Sequence, residues 1–428
     1  MLLRFGCANY FSFRRYTEIV LTASRGIKDK GPDLLSTIGA KQPVLPVVLI
    51  YGANAAGKTT LFLALDSMRN HVVNSYTKLG PDDDVPNTPF ALDGDGEDIP
   101  SKFDCDFIIE GVRYHYGFEI LHGQFSDEWL YYFPSGNRRM LFHRPSEVNN
   151  TEFGPSFKGS KKGLLSIART NSLLVSAGAQ AKSEQLGVVY SFFRDKLVFI
   201  GPNFSPASAT AENSTLDHRV AAFLAIADTG IVSARVEMEE TSEGVRKAAE
   251  AFMSSLVSMG QAPEDVPPMP TKIPSIYLTH RSANNGTTEL PLSVESRGTI
   301  RIISLMSKIL SAIDFGKTVV IDEIDASLHT LLSIEIVKLF SNSSVNVNGA
   351  QLIATTHDTN LLCSELIRRD QVWFAEKSDE GETSLFPLTD IKTRNSDNIE
   401  KGYLQGRYGA IPFFGRVDSL FDRKQQDE

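Results

Sequence analysis

The spacing of apolar positions changes along this chain, and each spacing predicts a different element. Leu2 to Ala23 has strand character and carries the aromatic cluster Asn9-Tyr10-Phe11-Ser12-Phe13 before Arg14-Arg15, which fits two strands and a tight turn. Pro46 to Tyr51 is an unbroken apolar run, the mark of a strand buried on both faces, and Thr60 to Asn70 is helix-compatible. Phe103-Asp-Cys105-Asp-Phe107 alternates, Glu110-Gly111 breaks the run, and Tyr114, Tyr116, Phe118 and Ile120 resume it on the opposite parity. The alternation continues through Phe125 to Phe133, turns at Pro134 to Asn137 and returns through Met140 to His143, so an antiparallel meander is predicted.

From Leu164 to about Arg194 the pattern predicts short helices, followed by a strand at Leu197 to Ile200. Asn203 to Thr215 reads as an exposed loop, Val220 to Ala227 and Gly244 to Met259 as helices, and Pro263 to Pro274 as extended linker. Ile302, Leu305, Met306, Ile309, Leu310 and Ile313 then lie on one helical face, and Leu328, Leu332, Ile336, Leu339 and Phe340 on another. Nothing repeats at a fixed period and heptads are absent.

Three of the apolar runs end in chemistry-bearing residues. Gly52-Ala-Asn54-Ala55-Ala56-Gly57-Lys58-Thr59 is a complete P-loop between a strand and a helix. Its glycines let the backbone wrap a phosphate, with Asn54, Ala55, Ala56 and Thr60 completing the cradle and the helix N-terminus facing the same anion. Lys58 would reach the β/γ-phosphates and Thr59 would ligate Mg²⁺. The apolar strand Lys317-Thr-Val-Val-Ile321 ends in Asp322-Glu323, where Asp322 suits the metal and Glu323 suits an attacking water. Gln351 to Thr356 ends in His357, placed to face the γ-phosphate, because ligands gather at the carboxyl ends of strands in open α/β sheets. Ser296-Arg-Gly298-Thr299 opens a helix and offers a second anion-binding cap.

Composition removes alternatives. The 428 residues carry a net charge of −9, which argues against indiscriminate coating of nucleic acid. The basic clusters Arg138-Arg139 with Arg144, and Lys158 with Lys161-Lys162, read as solvated turns. No run reaches the roughly 18 apolar residues of a membrane span and no signal peptide is evident, so a cytoplasmic protein without a membrane partner is expected. Cys7, Cys105 and Cys363 are widely spaced and read as buried free thiols.

The order P-loop, Ser-x-Gly cap, Asp-Glu followed by Asp325-Ala-Ser-Leu-His329, and Thr-Thr-His357 resembles ABC-type ATPases of the RecF, SMC and OLD kind over about half the chain. The resemblance implies an α/β fold: an ABC-type P-loop ATPase head with an antiparallel β subdomain and an inserted mostly helical subdomain. It divides the chain into an N-terminal ATPase lobe at 1–100, the meander at 101–146, the helical insert with linkers at 147–274 and a C-terminal ATPase lobe at 275–428. It further implies two heads sandwiching ATP and Mg²⁺, with Ser296 and Gly298 as signature residues, Asp325 opening the D-loop and His357 as switch histidine. Gln124 and Gln180 are the available Q-loop glutamines, and Phe11, Phe13 or Arg14 could stack on adenine, against a core role for the two aromatics. The signature itself departs from the family's Ser-Gly-Gly-Gln.

Asn-Tyr-Phe-Ser-Phe, Tyr51-Gly-Ala-Asn-Ala-Ala-Gly-Lys58 and Gly402-Tyr-Leu-Gln-Gly-Arg-Tyr-Gly409-Ala-Ile-Pro412 are similar to stand-alone ATPases of bacterial abortive-infection and phage-defence operons, such as AbiL-type proteins and the AriA subunit of PARIS. That narrower likeness implies a slow ATPase acting as sensor or scaffold for a separately encoded effector, a nuclease or toxin, with a larger homo-oligomer and nucleic-acid binding left open. The alternative is a RecF/SMC-like DNA-repair ATPase that clamps DNA on head closure. An intrinsic metal nuclease is disfavoured, since Asp93-Gly-Asp95 lies in a loop and about 70 residues follow His357.

Overall fold

A computed structural model describes residues 1–27, 29, 31–202, 216–227, 229–258, 271–283, 286–363, 365–394 and 397–411. Its contacts divide the chain into two compact units, Met1–Pro202 with Ala312–Glu428, and Asn203–Ser311.

The first unit holds two sheets. β1 (Leu2–Ala8) and β2 (Thr17–Val20) form a hairpin, while β3 (Val47–Gly52) belongs to the second sheet. β4 (Ser101–Ile109), β5 (Val112–Leu121), β6 (Gln124–Phe133), β7 (Arg139–Pro145) and β8 (Glu152–Phe153) continue the first, in the order β2-β1-β4-β5-β6-β7-β8 and antiparallel throughout. The expected meander is this β4–β7 run. β9 (Leu197–Ile200) lies at the edge of the second sheet, far in sequence from β3.

The second unit contributes β10 (Ile231–Glu240), β11 (Lys272–Arg281) and β12 (Thr287–Pro291), an antiparallel three-stranded sheet. Helix His218–Ile226 covers it, burying Val220 and Leu224 together with Ile231, Ile276 and Leu278. Back in the first unit, β13 (Thr318–Ile321), β14 (Gln351–Thr355), β15 (Val372–Lys377) and β16 (Thr383–Pro387) complete the second sheet, ordered β16-β15-β3-β14-β13-β9. Its strands are parallel except β16. The fold is thus α/β, as expected.

Helix Lys58–Lys78 turns Leu61, Ala64, Leu65, Met68 and Val72 into a single apolar core shared with Val48 and Ile50 of β3 and Phe103, Phe118 and Phe125 of the antiparallel sheet. The helices Lys161–Ile167, Leu174–Gln180 and Glu184–Ser191 extend that core, and Phe192 stacks on Phe107 at 4.0 Å between ring centroids. Arg144 is not a surface cation: it is fully buried and pairs with buried Glu128 at 3.3 Å, directly opposite it on the neighbouring strand. Glu128 also accepts from the backbone N–H of Leu174 and Val175 and from the Tyr116 hydroxyl, which fastens the helical segment to the sheet. Burial pushes the Glu128 carboxyl up, with Arg144 and these donors opposing it.

Helices make up most of the regular structure within 147–274, with β8, β9, β10 and the start of β11 beside them. Two expectations change. The Pro-rich linker ends early, since Lys272 to Pro274 are already strand. Pro274 pairs with Met238 of β10, while β12 reaches only Tyr277 to Arg281, so the missing N–H falls where no ladder partner needs it. Cys7 and Cys105 are buried as expected, but Cys363 is exposed. The Asn203–Thr215 loop, most of the Pro263–Pro274 stretch and Pro412 lie outside the described residues.

His71 on the P-loop helix packs among the Phe103, Phe118 and Phe125 rings, with Ser67 Oγ 3.2 Å from Nε2. Burial lowers its pKa to about 4, below the unfolded value. The unfolded chain therefore takes up the proton first as pH falls, so this contribution to stability is full above about pH 6.5 and is lost towards about pH 4. Urea unfolding should show roughly 2–3 kcal/mol of this loss in the native sequence and a correspondingly shallower pH slope in His71→Gln.

Candidate functional site

β3 delivers the chain to the P-loop at Gly52, packed so closely on the Ala375 carbonyl of β15 that a side chain has no room. Ala55 (φ 62°) and Gly57 (φ 93°) then take left-handed backbone, and this reversal curls the loop before the helix starts at Lys58. Buried Lys58 lies back over its own loop, Nζ donating to Gly52 O at 2.8 Å and Ala53 O at 3.0 Å. Two of three ammonium donors are thereby used to hold the loop's curvature. Burial lowers its pKa, opposed by Asp322, Glu323 and Asp325.

Strand order brings the acids to this loop. β14 lies between β3 and β13, so Asp322, one residue past β13, stands across from the P-loop. Its buried carboxylate accepts from Thr59 Oγ1 at 3.0 Å and from Thr355 Oγ1 at 2.7 Å. The Thr355 hydroxyl in turn accepts from the Glu323 N–H at 2.7 Å. Glu323 adopts φ 54°, which turns the chain sharply at the strand end and leaves its side chain half-buried in the cleft. His357 follows β14 and donates its backbone N–H to the Asp325 carboxylate, 3.3 Å from each oxygen. Burial and then Lys58 lower the His357 pKa, so the ring is neutral at pH 7.

These groups line one cleft of about 650 Å³. Asn54, Ala55, Ala56, Gly57, Lys58, Thr59, Thr60, Asp322, Glu323 and His357 all face it; Gly52 and Asp325 stand behind it as supports. Ser296 and Gly298 belong to the second unit, where Ser296 Oγ caps helix Arg297–Phe315 by accepting from the Thr299 N–H at 3.1 Å. Phe11 is 40% exposed and lines the cleft, whereas Phe13 is wholly buried core. Arg14 pairs with Asp93 at 2.9 Å and lies over the Phe90 ring. Neither Gln124 nor Gln180 lines the cleft. Asp93 is thus held by an arginine, and among the described residues no group of three His, Cys, Asp or Glu could hold a metal.

The site residues nevertheless fit a magnesium-bound nucleotide. Mg²⁺ keeps several waters and needs only one or two protein oxygens beside phosphate oxygens, which the hydrogen-bonded Thr59 hydroxyl and Asp322 carboxylate supply. In the sequence the Thr-Thr-His357 run points to its histidine, and the support that Thr355 gives both acids is not foreseen. Sequence reasoning also missed the outer wall, made by Thr88 to Leu92, Lys377 and Gly381, which no motif marks.

A P-loop on a central parallel strand, with the acid pair one strand beyond its neighbour, defines the class: an α/β P-loop nucleotide-binding protein. A family model described as "AAA domain, putative AbiEii toxin, Type IV TA system" matches residues 47–364, and the chain belongs to this family. No curated protein matches the sequence. Among solved structures, the SMC head domain from Thermotoga maritima is 11% identical, with 92% of this chain and 99% of that chain covered at a TM-score of 0.40. An SMC head with an extended coiled coil bound to the C-terminal domain of ScpA, derived from Pyrococcus furiosus, is 12% identical, with 90% and 96% covered at 0.39. Among the described residues no helix is long and apolar enough to cross a membrane.

Thr355→Val keeps the shape of the side chain and removes the one hydroxyl that orients both acids. The Mg²⁺ concentration for half-maximal nucleotide binding should rise by roughly tenfold. A Mg²⁺ titration identical to the native one would rule out that orienting role.

Proposed function

We propose that this chain is an ABC-type ATPase that binds and hydrolyses Mg²⁺-ATP, and that it serves as sensor and regulatory scaffold of an anti-phage, abortive-infection system controlling a separate effector. The observation that carries the reading is the meeting of Lys58, the Thr59–Asp322 pair, Glu323 and His357 in one cleft. P-loop N–H groups and Lys58 bind the β/γ-phosphates, and Thr59 with Asp322 hold the metal. Bound Mg²⁺ supplies neutralisation of the phosphate charge. Glu323 orients the attacking water and takes its proton, while His357 can hydrogen-bond at the γ-phosphate end.

The regulatory half of the proposal draws on the family description, which names a toxin and a toxin–antitoxin system. A homodimer would bring Ser296 and Gly298 of one copy to the nucleotide of the other, giving ATP a way to control an assembly. The charge of −9 favours this reading over a DNA clamp.

Glu323→Gln should lower turnover by ~10² or more with ATP affinity nearly unchanged, and Lys58→Ala should abolish ATP retention. Unaltered turnover in the first variant, or normal affinity in the second, counts against the assignment. Light scattering of Glu323→Gln should show an ATP-dependent doubling of mass that Ser296→Arg prevents. ATP-stimulated DNA affinity falling steeply with salt would instead favour the DNA clamp.

A further inference from the structure

Three hydroxyl side chains from distant parts of the sequence meet beside the P-loop, and two of the residues, Ser12 and Thr60, line the cleft. Ser12 Oγ, at the tip of the β1–β2 hairpin, lies 2.8 Å from Thr60 Oγ1 on the P-loop helix and 2.8 Å from Thr383 Oγ1 at the start of β16. Thr383 Oγ1 is also 2.9 Å from the Ala56 carbonyl. Thr383 and Thr60 are buried and Ser12 is half-buried.

Thr383 Oγ1 is placed to donate both to Ser12 Oγ and to the Ala56 carbonyl, so its single proton serves two acceptors. Ser12 Oγ accepts from that side and also pairs with Thr60 Oγ1, where either hydroxyl can donate. Losing the Thr383 hydroxyl leaves neighbouring acceptors without their donor. The backbone supports the same join, with the Thr383 N–H donating to Ser12 O at 2.7 Å. Gly57 fits beneath this cluster only because it lacks a side chain: a β-carbon there would overlap Thr383 Oγ1 and crowd Ser12 Oγ.

We infer that Ser12 and Thr383 are positioning residues for nucleotide binding, holding the Ala56–Gly57 peptide in the curled, phosphate-receiving form and tying it to the outer wall of the cleft. This rests on the nucleotide reading above. The wall enters because Phe11 precedes Ser12, and Lys377 and Gly381 lie on the β15–β16 hairpin that Thr383 closes; all three line the cleft. The P-loop and that wall are therefore joined directly by side-chain and backbone hydrogen bonds. Neither hydroxyl acts on the reacting atoms, so the effect belongs to binding rather than to turnover.

Thr383→Val preserves shape and removes the proton given to Ala56 O; Thr383→Ser keeps it. ATP affinity by calorimetry, with KM and kcat for hydrolysis, should show Thr383→Val binding roughly five- to tenfold more weakly, with kcat at saturating ATP within about twofold. Thr383→Ser should return to within about twofold of native affinity. Native affinity in Thr383→Val, equal weakening in Thr383→Ser, or a loss confined to kcat would each overturn the inference while leaving the nucleotide reading intact. Absence of ATP binding by the unmodified chain would overturn both. Should Thr383→Val fail to fold, Ser12→Ala, at the half-buried member of the chain, carries the same expectation and the same refutation.

Discussion

The carboxylate of Asp322 is the point on which the site is assembled. A buried carboxylate is tolerated only when its oxygens are hydrogen-bonded, and here one oxygen takes the Thr59 hydroxyl and the other the Thr355 hydroxyl. Those hydroxyls belong to the P-loop helix and to β14, while Asp322 follows β13. Satisfying one acid therefore requires three elements in register. The same Thr355 oxygen takes the Glu323 N–H, so the two neighbouring acids share one support.

Sheet order makes that geometry available. With β14 interposed, β3 and β13 lie about 10 Å apart, which leaves a phosphate-sized gap at their carboxyl ends. His357 and Thr355, both at the end of the interposed strand, fill the back of this gap. The front wall comes from elsewhere: the hairpin tip at Phe11, the segment Thr88 to Leu92 and the β15–β16 hairpin. The P-loop end of the cleft is thus a property of the parallel sheet, and the opposite end a property of what is packed beside it.

This division explains what could be read from the sequence. The strand runs at Val47, Thr318 and Gln351 are short, apolar and ended by Gly, Asp-Glu and His, so element and chemistry are adjacent in the chain. The meander was equally legible, because β4 to β6 alternate against one core. β10 was not: Ile231 to Glu240 includes Ala, Arg, Met and three glutamates, a helix-like composition. In the sheet Arg235 is solvent-exposed and pairs across to Glu289 at 3.0 Å, a strand contact that composition does not announce. Arg144 looked like a turn cation because its partner is visible only once Glu128 stands opposite it on β6. Thr383 carries no local signature, and the Asn-Tyr-Phe-Ser-Phe run does not announce what Ser12 touches, since that contact spans most of the chain.

The position of β3 also sets the order in which this molecule can be built. Its ladder neighbours β14 and β15 begin at Gln351 and Val372, roughly 300 residues after the strand itself. At ribosomal rates of about 5–20 residues per second, those partners emerge roughly 15–60 s later. Until then Val47 to Ile50 present an apolar, unpaired strand that the antiparallel sheet and the P-loop helix can cover but cannot zip. The parallel sheet around β3 is consequently closed only once the segment from Gln351 onward has been made.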